Sequence, residues 1–128
     1  MSAADSLRAE ATRRILVLDG ASGTEFQALR TSEEDLRGDR FRDHPSSLAG
    51  NHDLLVLSQP DAVIGLHLSY LLAGADIITT NTFSSTTVAQ REYGLDDPAL
   101  IGELNSTAAQ LARRAADDAQ RSDGRERW

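Results

Sequence analysis

Cysteine is missing from all 128 positions, which removes disulfides, thiolate nucleophiles and the usual structural zinc sites. Lysine is missing as well. Each of the 13 basic residues is arginine, so Schiff-base chemistry and a Walker-type phosphate lysine are both closed to this chain. Positive charge is in short supply: 20 acidic residues leave a formal net charge of -7, the wrong sign for a broad nucleic-acid surface. No apolar run approaches the roughly 18 residues a membrane helix needs. The opening MSAADSLRAE is polar and acidic, unlike a secretory leader. These absences lead us to expect a cytoplasmic protein with no nucleic-acid or membrane partner.

What remains is 40% hydrophobic, 26% charged and 5% aromatic, the profile of one globular domain. Residues 1–12 read as a short surface helix or a tail. The first strong signal is Arg14-Ile15-Leu16-Val17-Leu18 followed by Asp19-Gly20. Its unbroken apolarity suits a strand buried on both faces, as in parallel sheets. Ala21-Ser22-Gly23-Thr24 reads as a small-residue turn, with a helix beyond it extending through Leu36. Gly38, Pro45, Ser46, Ser47 and Gly50 then break any period, and residues 37–57 read as a long irregular excursion.

Ser58-Gln59-Pro60-Asp61 has the form of a helix start, with Ser58 as cap and proline in the first turn. Ile64, Leu68, Leu71 and Leu72 recur at helical spacing up to Gly74. A β-branched strand candidate, Ala75-Asp76-Ile77-Ile78-Thr79-Thr80, follows at once. Another helical stretch surrounds Thr86–Tyr93. Pro98 opens the clearest helix, with Leu100, Leu104, Ala108, Ala112, Ala115 and Ala119 in the i, i+3, i+4 pattern. The closing residues 121–128 read as a polar linker.

Strand, helix, strand, helix predicts an α/β fold with parallel strands. Two strands do not complete one: a (β/α)8 barrel takes about 250 residues. The chain reads as the beginning of something larger.

Ligands of parallel α/β folds bind at the carboxyl ends of the strands. Asp19, Gly20, Ala21 and Ser22 follow the first strand, and Thr79, Thr80, Asn81 and Thr82 the second, so both sets face one rim. Asp19 suits a ligand ammonium, and the small residues after it leave backbone N–H groups open to a carboxylate. That pairing fits a zwitterionic amino acid. The same residues also fit an ordinary turn in which Asp19 caps the next helix. Gly20-Ala21-Ser22-Gly23 matches neither G-x-G-x-x-G nor a phosphate-binding loop. His44, His52 and His67 lack the i, i+4 spacing of a helical metal site, and His67 reads as a helix-face residue. Asn105-Ser106-Thr107 is a glycosylation sequon inside a helix and carries no weight. Arg113, Arg114, Arg125 and Arg127 read as solvated surface charge.

Residues 14–24 resemble the opening strand and loop of the homocysteine S-methyltransferase family, within which the cobalamin-dependent methionine synthases are the nearer likeness. Leu36-Arg37-Gly38-Asp39-Arg40-Phe41, Leu48 to Leu55, and Gly74-Ala75-Asp76-Ile77-Ile78 leading to Thr80-Asn81-Thr82-Phe83 carry the rest of it. The likeness covers roughly residues 13–120 and marks 13–128 as the first strands and helices of an incomplete (β/α)8 barrel. It implies that homocysteine binds at the carboxyl ends of the strands. Asp19 would hold its amine, the backbone of Gly20, Ala21 and Ser22 would meet its carboxylate, and Thr80 and Asn81 would line the mouth. It also implies a zinc ion on cysteines of later strands, which makes a thiolate that takes a methyl group from cobalamin recharged by folate. Neither zinc nor cobalamin has ligands in this chain, which the likeness makes inert alone and dependent on the remaining barrel and the cobalamin and folate modules. Ser22 stands where the family usually has methionine, and Thr79 where methionine synthases usually have glutamate. The competing reading is a non-catalytic module that binds an amino acid or complements a separate remainder of the barrel.

Overall fold

Ser2 begins the first helix of the computed structural model, which describes residues 1–128. Its hydroxyl accepts from the Asp5 N–H at 3.2 Å while the Asp5 carboxylate accepts from the Ser2 N–H at 3.3 Å, a capping box that starts α1 (Ala3–Ala11). The helix expected to run on to Leu36 divides into α2 (Gly23–Ala28) and α3 (Glu33–Arg37). Between them Arg30 adopts φ 50, a left-handed conformation through which no helix continues. Ser32 restarts the helix by accepting from the Asp35 N–H.

The stretch 37–57 is far more ordered than its glycines and proline suggest. Arg37 donates to the carbonyls of Phe41 (3.1 Å), His44 (2.7 Å) and Ser46 (2.9 Å), so one guanidinium satisfies a turn with no ladder of its own. Glu33, paired with Arg37, accepts from the Leu48 N–H at 2.8 Å. Phe41 and Leu48 thereby drop into the core. A 3₁₀ turn at His52–Leu54 leads into α4 (Leu55–Ser58).

Pro60 opens α5 (Pro60–Ala73), and Gly74 ends it at φ 119. Ser58 is not its cap. That hydroxyl donates back to the Leu54 carbonyl within α4, and Gln59 occupies the cap position with no side-chain bond. α6 (Thr87–Gln90) and a 3₁₀ turn at Arg91–Tyr93 run up to Gly94. The final helix, α7 (Pro98–Asp123), is capped by Asp97 and ended by Gly124 at φ 74. Its leucine end (Leu100, Leu104) joins Phe26, Leu36, Leu48 and Leu54 in the larger core. Its alanine end (Ala115, Ala116, Ala119) lies against Ile64 and Leu71 of α5. Small side chains there let two helix backbones approach closely. No single helix is long and apolar enough to cross a membrane.

The two expected strands do not form. Residues 14–18 and 75–80 meet in one parallel bridge, Leu18 with Ile77. Val17 accepts from the Ile77 N–H at 3.1 Å, and the Asp19 N–H reaches the Ile77 carbonyl at 2.9 Å. Beyond it the backbones part, because so short a parallel pairing is not stable enough to extend. On the other side of Ile77 lies Trp128, whose N–H donates to the Asp76 carbonyl (2.9 Å) and whose carbonyl accepts from the Ile78 N–H (2.8 Å), again in the parallel sense. The segments around residues 17, 77 and 128 thus lie side by side in chain order, without making a sheet.

The carboxyl terminus corrects two further expectations. Residues 121–123 belong to α7, and 125–128 are docked rather than linking. Of the arginines expected to be solvated, Arg113, Arg114 and Arg125 are exposed, and Arg127 is not. Arg127 is fully buried on Asp123, Arg125 reaches the buried Asp76 at 3.2 Å, and Arg113 donates to the Arg127 carbonyl at 3.2 Å. Asp76 also receives both terminal nitrogens of Arg14 (3.0 and 2.9 Å) and the Val17 N–H (2.9 Å). Those contacts hold its carboxyl down to about 2, with the Arg14 hydrogen bonds the largest cause.

Candidate functional site

The bridge at Leu18 and Ile77 brings the segments that follow it to one end of the molecule. Asp19 extends from the first segment, and its carboxylate accepts from the Thr79 N–H and the Thr79 hydroxyl, each at 3.0 Å. It ties the two segments together and does not cap α2, whose N-cap residue Ser22 makes no side-chain cap bond. Gly20 lies beneath the Tyr70 ring: a Cβ there would stand 3.3 Å from the phenolic oxygen. The Tyr70 hydroxyl passes this glycine to donate to the Ala21 carbonyl at 2.5 Å. The N–H groups of Ala21 and Ser22 have no acceptor within the chain.

These loops border a cleft of about 400 Å³. One wall is Gly20–Gly23 over Phe26. The opposite wall is Gly50–Asp53, and Asn81, Phe83, Ser84 and Tyr93 close the third side. Of the six residues expected to bind ligand, Gly20, Ala21, Ser22 and Asn81 face this cleft. Asp19 and Thr80 border a much smaller adjoining cavity, which Gly20, Ser22 and Asn81 also reach. All six are therefore neighbours at one rim.

The wall at 50–53, inside the stretch whose glycines and proline predict an irregular excursion, is a further functional candidate. Asn81 donates to the His52 carbonyl at 2.9 Å. Asp53, buried, accepts from the Ser84 N–H at 2.8 Å and the Ser85 hydroxyl at 2.5 Å. Asn51 and Gln90, both buried, bond each other. The signal was present: Asn51, His52 and Asp53 interrupt an otherwise apolar run from Leu48 to Leu57. Polar residues in such a run are retained where they have buried partners.

His67 also reads differently in three dimensions. It lies on the core side of α5 with 4% of its surface exposed, and it borders the smaller cavity. Burial pushes its imidazole below the ordinary histidine range, and the Asp19 carboxylate opposes that only in part. No three His, Asp or Glu side chains converge as a metal site, and the chain offers no thiolate. The residues present therefore do not fit the zinc ion that the family resemblance implies. Chemically the site offers a carboxylate, free backbone N–H groups, hydroxyls and an aromatic wall, which is equipment for binding and orientation.

A family model described as homocysteine S-methyltransferase matches residues 16–128. Among solved structures, the oxidized form of the homocysteine methyltransferase MmuM from Escherichia coli is similar, with a TM-score of 0.71 and 26% sequence identity. The match covers 92% of this chain and 36% of that one, so the chain spans well under half the length of the enzyme it resembles.

Proposed function

The chain belongs to the homocysteine S-methyltransferase family, and we propose that it forms the amino-acid-binding first part of such a methyltransferase, holding homocysteine at the rim around Asp19. The observation that carries this reading is the pairing of a carboxylate, Asp19, with the unengaged N–H groups of Ala21 and Ser22 at two adjoining cavities that share Gly20, Ser22 and Asn81. An α-amino acid presents the complementary ammonium and carboxylate. Charge-assisted hydrogen bonds of this kind are the stronger class.

In the proposed arrangement Asp19, fixed by Thr79, receives the ammonium. The backbone of Gly20, Ala21 and Ser22 meets the carboxylate, and Thr80 and Asn81 shape the mouth. The thiol side chain then extends into the cleft between Phe26 and Phe83. These residues bind and orient. Deprotonation of the thiol is not a step they perform, because no donor set for the implied metal exists among them. We take the methyl donor to be cobalamin, recharged by methyltetrahydrofolate. What supports this is the methionine-synthase-like stretch Leu48–Leu55, part of which forms a wall of the cleft. A cleft of about 400 Å³ takes an amino acid and not a corrin, so no residue here is assigned to cobalamin. The absence of any thiolate also favours a second reading, in which the chain binds the amino acid without transferring a methyl group.

Calorimetric titration of the chain with L-homocysteine tests the proposal. We expect binding that weakens at least about tenfold in Asp19→Asn, the effect of one charge-assisted contact. Wild-type chain that takes up no homocysteine, or an Asp19→Asn variant that binds it equally well, refutes the assignment. Methionine formed from homocysteine and methylcobalamin by the chain alone would refute the second reading.

A further inference from the structure

His67 stands between Val63 and Leu71 on α5, four residues from each, and all three are buried. An apolar residue would serve the packing at this position. The imidazole instead places Nε2 in the interior with no hydrogen-bond partner from the protein. Buried nitrogens of this kind rarely go unbonded, because the lost hydration costs about 1–3 kcal/mol. The cavity His67 borders measures about 10 Å³, close to the roughly 10–15 Å³ that one water molecule occupies. Its other walls include Asp19, Thr79, Thr80 and Asn81. A buried water needs two to four polar partners, and this chamber supplies them.

The surroundings also bear on the charge. Asp19 is the ionised group facing His67. Tyr70 borders the same chamber, with its hydroxyl committed to Ala21. The helix packed on α5 presents Ala115, Ala116 and Ala119, which carry no charge. Burial therefore favours the neutral imidazole, against the pull of Asp19.

We propose that His67 is a positioning residue for the amino-acid ligand, acting on Asp19 through a single water molecule held between Nε2 and the Asp19 carboxylate. The inference rests on the assignment of Asp19 to the ligand ammonium. The Asp19 carboxylate accepts only, so the water donates to it and itself accepts from an Nε2–H, which selects that tautomer. Thr79 holds the carboxylate from one side, and the water-linked imidazole holds it from below, leaving its free lone pairs turned toward the ligand. Support of a contact residue by an outer neighbour is how binding sites hold geometry. A protonated imidazole would compete with the ligand ammonium for Asp19, so binding falls as His67 gains a proton.

The experiment compares homocysteine binding by wild-type chain, His67→Gln and His67→Leu across about pH 5 to 8. Wild type should bind progressively more weakly toward the acid end. Glutamine, whose amide nitrogen can occupy the place of Nε2, should retain affinity within about threefold with no acid loss. Leucine should lose about tenfold and show a flat profile. Variants that keep the wild-type affinity and pH profile overturn the role of His67 while leaving the amino-acid site intact. Absence of homocysteine binding in wild type removes the amino-acid site, and this role with it. Should either variant fail to fold, nitrogen-15 titration of His67 in wild type decides. The ligand ammonium offsets the Asp19 charge, so the His67 pKa should drop when homocysteine is added. An unchanged value in chain that binds homocysteine overturns the proposal.

Discussion

Asn51 and Gln90 are each other's hydrogen-bond partner: the Asn51 amide donates to Gln90 Oε1 at 2.7 Å, and the Gln90 amide returns a bond to Asn51 Oδ1 at 3.1 Å. Gln90 also donates to the Ser84 carbonyl at 3.1 Å. One buried amide pair thus clasps the 50–53 wall of the cleft to α6 and to the loop after Asn81. Removing either partner strands the other. Gln90→Leu and Asn51→Leu should each destabilise by about 1–3 kcal/mol, whereas the double variant should cost less than their sum. Urea denaturation of the four proteins measures the coupling, and strict additivity would show that the pair is not a unit.

Acid should loosen the terminal clamp through Asp76. Its folded pKa of about 2 lies below the ordinary 3.8, so the group's stabilisation is complete above the unfolded value and disappears as pH falls through the folded one. For a carboxylate with 1% of its side chain exposed this amounts to about 2 kcal/mol, lost between roughly pH 5 and 2. Asp76→Asn should cost about 2 kcal/mol at pH 7, because it removes the carboxylate that Arg14 and Arg125 share. It should also flatten the acid dependence. Denaturation curves at several pH values read both effects, and an equally steep acid loss in the variant would assign that loss elsewhere.

Ile15 is 88% exposed, and Val17 and Leu18 beside it are more than half exposed. Unpaired extended chain with apolar side chains promotes edge-to-edge association. Sedimentation velocity should show self-association that rises with concentration. Ile15→Lys should suppress it at a stability cost of no more than about 0.5 kcal/mol, since the side chain packs on little. Unaltered sedimentation in the variant would place the association surface elsewhere.

The helices were legible wherever punctuation and period agreed. Pro98, the leucine–alanine stripe and Gly74 marked α7 and the end of α5 because local chemistry decides those boundaries. The strands were legible as apolar runs but not as structure, because pairing depends on neighbours that a run does not encode. Ile15 and Ile78 look alike in sequence, yet one is exposed and the other is bonded to Trp128. At the rim, Asp19 to Ser22 and Asn81 were visible from their place after apolar runs. Asn51 and Asp53 showed only as polar breaks in an apolar run, and His67 only as a helix-face residue, because what distinguishes them is supplied from far along the chain. Arg127 misled for another reason: its partners, Asp123 and the Arg125 carbonyl, are close in sequence, but only the turn after Gly124 folds the guanidinium back onto them.

The bridge between Leu18 and Ile77 has a consequence in time. Helix α3 packs on α4 and α4 on α5, so these successive helices can condense through contacts that are comparatively close in the chain. The Asp19–Thr79 bond instead spans 60 positions and must wait for that long loop to close. Loop closure is entropically costly and is rewarded only after the ends meet. The rim should therefore assemble after those helices have met during folding. A ligand that joined its two sides would act as a latch on the folded state, tightening it by mass action.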